Sequence, residues 1–183
     1  MQEDTMKSST KNEQPRRILI IGDAGRGKTT FAQHASEKFG IPMFSLDDIL
    51  WKQRYSEIED RPKAMQRIQE VVERDAWIIE GATRYLAEQS FERADIIYHF
   101  QHRSIVGQIL HLVWRYLKKR GSTFVELCKL ILHSIYKRYS VGYCRHESGW
   151  CEILDPHDNK VIHIRSKRDV NDLIETLLSP PAV

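Results

Sequence analysis

Cysteine is scarce in this 183-residue chain: Cys128, Cys144 and Cys151 cannot all pair with one another. Reduced thiols are therefore the default, and a cytoplasmic location is expected. Cys144 and Cys151 stand near His146 and His157, but the spacing fits no zinc pattern well. His34, His99, His102, His111, His133 and His163 also show no metal-ligand spacing, so packing or surface roles are expected for them. Long apolar runs are missing as well. Nothing approaches the roughly 18 residues of a membrane-spanning helix. Residues 1–16 are polar and carry no apolar h-region, which makes them neither a signal peptide nor a membrane anchor. They read as a disordered tail. Internal repeats and low-complexity blocks are lacking beyond it, and residues 17–183 form one domain, long enough for a sizeable core.

Charge excess is small too. A formal net charge of +3 does not by itself imply a polyanionic partner. Its distribution says more: residues 103–145 hold nine Lys or Arg and a single acid, Glu126.

The chain does contain Gly22-Asp23-Ala24-Gly25-Arg26-Gly27-Lys28-Thr29, which fits G-x-x-x-x-G-K-[ST]. Residues 17–21 before it read as a buried strand. Residues 28–39 after it read as a helix, with Phe31, Ala32, Ala35 and Phe39 at helical spacing and Gly40 as C-cap. Strand, glycine loop and helix together are the context a phosphate-binding loop requires. Glycines let the backbone approach an anion with successive N–H groups aimed at its oxygens, and the helix N-terminus adds a positive dipole end. Residues 22–30, through Thr30, are thus the expected nucleotide cradle. Lys28 reaches the outer phosphates and Thr29 ligates Mg²⁺.

Further along, strands are expected at 41–46, 77–79, 94–100 and 160–164. Helices are expected at 61–73, 104–119, 124–139 and 169–178, the first capped by Asp60 and carrying Met65, Ile68, Val71 and Val72 on one face. Short apolar strands alternating with amphipathic helices imply an α/β fold with a parallel sheet, whose ligands lie beyond the carboxyl ends of the strands. Gly22, Asp47 and Glu80 all follow expected strands, so they share one rim.

The loop alone does not decide function. A GTPase would show N-K-x-D, yet Asn159-Lys160-Val161-Ile162 lacks the acid. A motor ATPase would show an apolar strand ending in Asp-Glu, and none is present. Small size, an acid after the second strand and a late basic segment favour a small-molecule kinase.

In these pieces the chain resembles the adenylate-kinase-related P-loop proteins, and specifically the small bacterial DNA topology modulation protein-like group. The resemblance runs through the P-loop, Leu46-Asp47-Asp48-Ile49-Leu50-Trp51-Lys52, Trp77-Ile78-Ile79-Glu80-Gly81, Ala94-Asp95-Ile96-Ile97 with Arg103, and Arg115 in a basic helix. The final strand and helix, 161–173, continue it. It implies a three-layer P-loop NTPase fold with a five-stranded parallel sheet and a helical lid region near 103–145. It also implies ATP and Mg²⁺ as cofactors. Relatives usually carry Asp where this chain has Glu80, a shorter Asn-Tyr pattern where it has Ala82-Thr83-Arg84-Tyr85, and an Asp about where it has Phe100.

The expected roles follow. Asp47 orients an acceptor hydroxyl or holds Mg²⁺ through water. Asp48 caps a helix. Glu80 is a further Mg²⁺ or water ligand. Trp51 and Tyr55 are candidates for lining the acceptor pocket, beside packing as the plainer role. Arg115 and Arg120, with Lys118 and Lys119, belong to the lid and stabilise transferring phosphate, and Gly121-Ser122-Thr123 supplies the mobile loop. Arg84 and Arg103 are weaker candidates for acceptor binding. The expected partners are a nucleotide and a small-molecule acceptor, with no membrane, in a monomer or homodimer. The alternative is an NTP-binding regulator linked to DNA topology, whose basic segment touches nucleic acid.

Overall fold

The structure is a computed structural model and describes residues 15–23, 26–53, 57–101, 105–118, 127–128, 131–132, 135 and 150–178. In chain order its elements are β1 (Arg17–Gly22), α1 (Lys28–Phe39), β2 (Met43–Ser45), α2 (Leu46–Leu50), β3 (Trp51–Gln53), β4 (Glu57–Ile58) and α3 (Arg61–Val72). Then come β5 (Trp77–Gly81), α4 (Arg84–Phe91), β6 (Ile96–Phe100), α5 (Ile105–Lys118), α6 (Trp150–Leu154), a 3₁₀ turn (Asp155–Lys160), β7 (Val161–Ile164) and α7 (Lys167–Leu178).

Five strands form one parallel sheet in the order β2-β5-β1-β6-β7, and β3 and β4 make a separate hairpin. The central strand explains the layering. Ile18, Leu19, Ile20 and Ile21 are all buried, so both faces of β1 are covered, as a parallel sheet with helices on each side demands. Leu19, Ile21, Ile79 and Ile97 face one core layer with residues of α2, α3, α4 and α6. Ile18, Ile20, Ile78, Phe100 and Ile164 face the other, under α1 and α7. The expected α/β architecture with a five-stranded parallel sheet is therefore present. Among the described residues no helix is long and apolar enough to cross a membrane.

Several boundaries differ from expectation, for physical reasons. The second strand stops at Ser45, and Leu46 opens α2, so Asp47 and Asp48 occupy a first helical turn rather than a strand end. Asp48 is not the cap: the N-cap position belongs to Ser45. Glu80 lies inside β5, which runs on to Gly81. Helices α4 and α6 were not legible, and neither was the β3–β4 hairpin. Helix α7 begins at Lys167, earlier than its apolar spacing suggests. Asp169 accepts bonds from the backbone N–H groups of Arg165 (2.8 Å) and Ser166 (2.9 Å), and its own N–H donates to Ser166 Oγ at 3.1 Å. This reciprocal capping box fixes the helix start. The expected helix at 124–139 and the loop at 121–123 lie wholly or largely outside the described residues.

Candidate active site

The glycine loop joins β1 to α1 between two glycines of positive φ, Gly22 and Gly27. Gly22 has φ 122°, and a Cβ placed there would stand 2.0 Å from the Phe100 carbonyl oxygen. The same carbonyl accepts the Asp23 N–H at 2.8 Å. Strand β6 is thus clamped against the start of the loop, and only glycine fits the contact. Gly27, at φ 85°, is the N-cap of α1 and supplies no side-chain cap, which leaves the first N–H groups of the helix for an anion. Phe31 N–H already bonds the Gly27 carbonyl at 2.9 Å, so the helix is formed from its first turn. Lys28 is buried, and its Nζ donates to the Asp23 carbonyl at 2.8 Å, folding the side chain back over the loop. Ala24 and Gly25 lie outside the described residues. Thr30 is exposed on the first turn of α1.

Four expected site residues converge. Thr29 Oγ1, in the first turn of α1, donates to Glu80 Oε2 on β5 at 3.3 Å. Glu80 is buried, and burial raises its pKa. The charge of Lys28 and a hydrogen bond from Ser45 oppose the rise, the Asp47 carboxylate adds to it, and the Thr29 bond opposes it again. Lys28, Thr29, Asp47 and Glu80 therefore surround one spot at the rim of β1, β2 and β5. Ser45 belongs with them and was missed in the sequence. Its register opposite Glu80 in the parallel β2–β5 pair puts it there, a pairing no local pattern announces. The approach is tight because Gly81, at φ 156°, has no side chain: a Cβ would stand 2.6 Å from Leu46 Cβ. That close contact lays the first turn of α2, with exposed Asp47, against the end of β5.

The missing acid near Phe100 has a structural answer. The Phe100 side chain is fully buried on the α1 side of the sheet, 5.7 Å from the Phe31 ring. An acid there would face the core. His99, on the other face, is also buried, and its pKa falls to about 3 because burial disfavours the charge and His163, Arg165 and Lys28 repel it. The Gln101 amide nitrogen lies 3.1 Å from His99 Nδ1. Beyond His99, the Trp150 ring is 5.9 Å away, and the buried Arg84 guanidinium, at the start of α4, lies 5.7 Å from the same indole.

Arg26 is half-buried in the loop. Its Nε and Nη2 are buried without a hydrogen-bond partner, and burial lowers its pKa against the charges of Asp23 and Asp169. Trp51 is half-buried at the end of α2, and Tyr55 lies outside the described residues. Arg115 and Lys118 fall on α5. Arg103, Lys119 and Arg120 lie outside the described residues, so the lid assignment is untouched by this geometry. Among the described residues no group of three or more His, Cys, Asp or Glu side chains could hold a metal ion. An Mg²⁺ held partly by phosphate oxygens and water needs fewer protein ligands than that, and Thr29 with Glu80 and Asp47 fits such a set.

No protein-family model matches the chain, and no curated protein matches it. Solved structures do. A shikimate kinase from Bacteroides thetaiotaomicron superposes with a TM-score of 0.51 at 16% identity, covering 90% of this chain and 97% of that one. An uncharacterized protein from Eubacterium ventriosum gives 0.50 at 18% identity, covering 89% and 96%. A gluconokinase from Sinorhizobium meliloti gives 0.50 at 13% identity, covering 90% of each chain. At such identities the likeness is one of fold: this chain shares with these structures an α/β fold built on a five-stranded parallel sheet.

Proposed function

We propose that this chain is an ATP-dependent phosphotransferase acting on a small molecule, of the adenylate-kinase-related kind. The observation that carries the reading is the convergence of Lys28, Thr29, Glu80 and Asp47 on one rim beside a loop whose first glycine, Gly22, leaves no room for a Cβ. The kinase neighbours in fold support it. When bound, Mg²⁺·ATP supplies the phosphoryl group and the charge neutralisation that its transfer needs.

The chain's own residues do the rest. Gly22 and Gly27 bring backbone N–H groups within reach of phosphate. Lys28 exchanges its bond to the Asp23 carbonyl for phosphate oxygens, a swap that keeps its buried charge paired throughout. Thr29 holds the metal side of the site, with Glu80 buried behind it as the acid that fixes the hydroxyl. Asp47, exposed at the head of α2, orients the acceptor hydroxyl and takes its proton. Arg84 meets an anionic part of the acceptor, and Arg115 and Arg120 close over the transferring group as lid cations. Neutral His99 adds no positive charge beside Lys28. The DNA-linked alternative rests on residues 103–145, most of which lie outside the described residues, and no described feature favours it.

The test is ADP release on a panel of small-molecule acceptors with Mg²⁺·ATP. Acceptor-dependent ADP formation, lost in Lys28→Ala, is expected. ATP binding with no turnover on any acceptor, together with salt-sensitive DNA binding, would overturn the reading.

A further inference from the structure

Helix α5 (Ile105–Lys118) holds a row of apolar side chains in water. Val106, Leu110, Trp114 and Leu117 are 62%, 64%, 54% and 74% exposed. Their spacing along the helix stacks them on one face. Ile109, Val113 and Tyr116 form a neighbouring row that is half-buried. Among the described residues, only Leu132 and Ile162 join the first row as exposed large apolar side chains. Scattered apolar residues on a surface need no explanation, but a contiguous patch marks a protein or membrane contact.

The charge around the row narrows the occupant. Helix α5 contains Arg115 and Lys118 and no acid, and residues 103–145 hold nine Lys or Arg against the single acid Glu126. A second copy of the chain would bring a second basic helix to the row, and the two would repel. A nucleic acid would meet the cations and leave the row in water. A partner helix is received in an apolar groove, whereas side chains more than half exposed stand on a ridge. An anionic bilayer satisfies both features. Its interface takes up apolar side chains from a helix lying flat, and its headgroups attract the surrounding cations.

We infer that the exposed face of α5 is a docking surface for an anionic lipid bilayer. Val106, Leu110 and Leu117 enter the boundary between headgroups and acyl chains, and Trp114 lies at headgroup level, where indole rings are favoured. Lys118, one helical turn beyond Trp114, brings its charge to the same edge. Position 115 is on the far side of the helix from the row, so the lid role of Arg115 is compatible with docking. At 14 residues α5 is too short to cross a bilayer, but a helix in the interface plane needs no such length. A bilayer is absent from the partners expected of the sequence, because a criterion of spanning length misses a helix that lies flat. Docking goes beyond the phosphotransferase reading and does not depend on it.

The experiment is co-sedimentation of the full chain with vesicles at low and high salt. One vesicle is phosphatidylcholine alone, and the other is an equimolar mixture of phosphatidylcholine and phosphatidylglycerol. Wild type is compared with a Leu110→Gln, Leu117→Gln double variant. Gln keeps the helix propensity and the charge and removes apolar contact, and a thermal melt checks the fold. Wild type is expected to bind the anionic vesicles at least about 10-fold more tightly than the neutral ones at low salt, a preference that shrinks at high salt. The double variant is expected to bind the anionic vesicles at least about 10-fold more weakly than wild type. If the double variant melts early, Leu117→Gln alone, at the most exposed position, is expected to weaken binding by about 3-fold or more. Wild type that ignores anionic vesicles, or binds both kinds equally, overturns the proposal. Undiminished binding by a folded variant overturns the assignment to α5. Wild type that ignores vesicles but sediments as a dimer, which the variant breaks, gives the face to a second copy and also overturns the proposal.

Discussion

Acid should destabilise this protein through one buried imidazole. His99 is 1% exposed and holds a pKa of about 3 against an ordinary 6.5. Above pH 6.5 the folded and unfolded chains both keep the group neutral, and stability does not depend on it. Between 6.5 and 3 the unfolded chain takes up a proton that the folded chain refuses, so stability falls as pH falls. The slope is about 1.4 kcal/mol per pH unit, which gives about 2 kcal/mol lost at pH 5 and a ceiling of about 5 kcal/mol at pH 3. Against a typical domain stability of about 5–15 kcal/mol this is a large fraction. The check is urea unfolding at pH 7.5, 6 and 5 on wild type and His99→Gln. Gln keeps a hydrogen-bonding group but cannot be protonated, and carboxylates that titrate in both proteins cancel in the comparison. The variant is expected to start less stable at pH 7.5 and to lose about 2 kcal/mol less than wild type on going to pH 5. Parallel pH dependence in the two proteins would refute the buried neutral His99.

Other outcomes follow from the loop and the rim. Gly22→Ala should destabilise the fold by at least about 2 kcal/mol, since its Cβ meets a β6 carbonyl at 2.0 Å that is already hydrogen-bonded and cannot retreat; a melt within experimental error of wild type would contradict the clamp. Asp47→Asn should keep ATP affinity and lose turnover by about 10²-fold or more; unchanged turnover with the true acceptor would make Asp47 only a first-turn acid of α2. Arg115→Ala and Arg120→Ala should each lower kcat by about 10²-fold or more with smaller effects on ATP affinity. If turnover is unchanged and the salt slope of DNA binding flattens by about one unit, the basic segment is a nucleic-acid surface.

The parts of the fold legible in the sequence are those set by local chemistry. Gly27 and Gly40 bound α1 as expected, and the run Ile18–Ile21 could only be a strand buried on both faces. Placement across the sheet was not legible. Ser45 joins Glu80 through β2–β5 register, a contact 35 residues apart in sequence. Strand alternation turns Phe100 to the α1 core and His99 to the opposite face of the sheet, against Trp150, a division that the expected strand alone did not assign. Asp47 was placed correctly on the rim but on the wrong element. Leu46 leaves the strand because Gly81 lets it pack directly on β5, a contact that overrides its apolar continuity with Met43 and Phe44. Helix α4 went unread because Ala82-Thr83-Arg84 resembles a loop, and its Leu86, Ala87 and Phe91 declare themselves only against the core they fill.

The central claim is that this loop cradles nucleotide phosphate through Lys28. Calorimetry of Mg²⁺·ATP binding to wild type and Lys28→Ala tests it most directly, with a thermal melt to show that the variant folds. Wild type is expected to bind and the variant to lose productive binding while keeping its fold. Wild-type affinity in a folded Lys28→Ala would contradict the account.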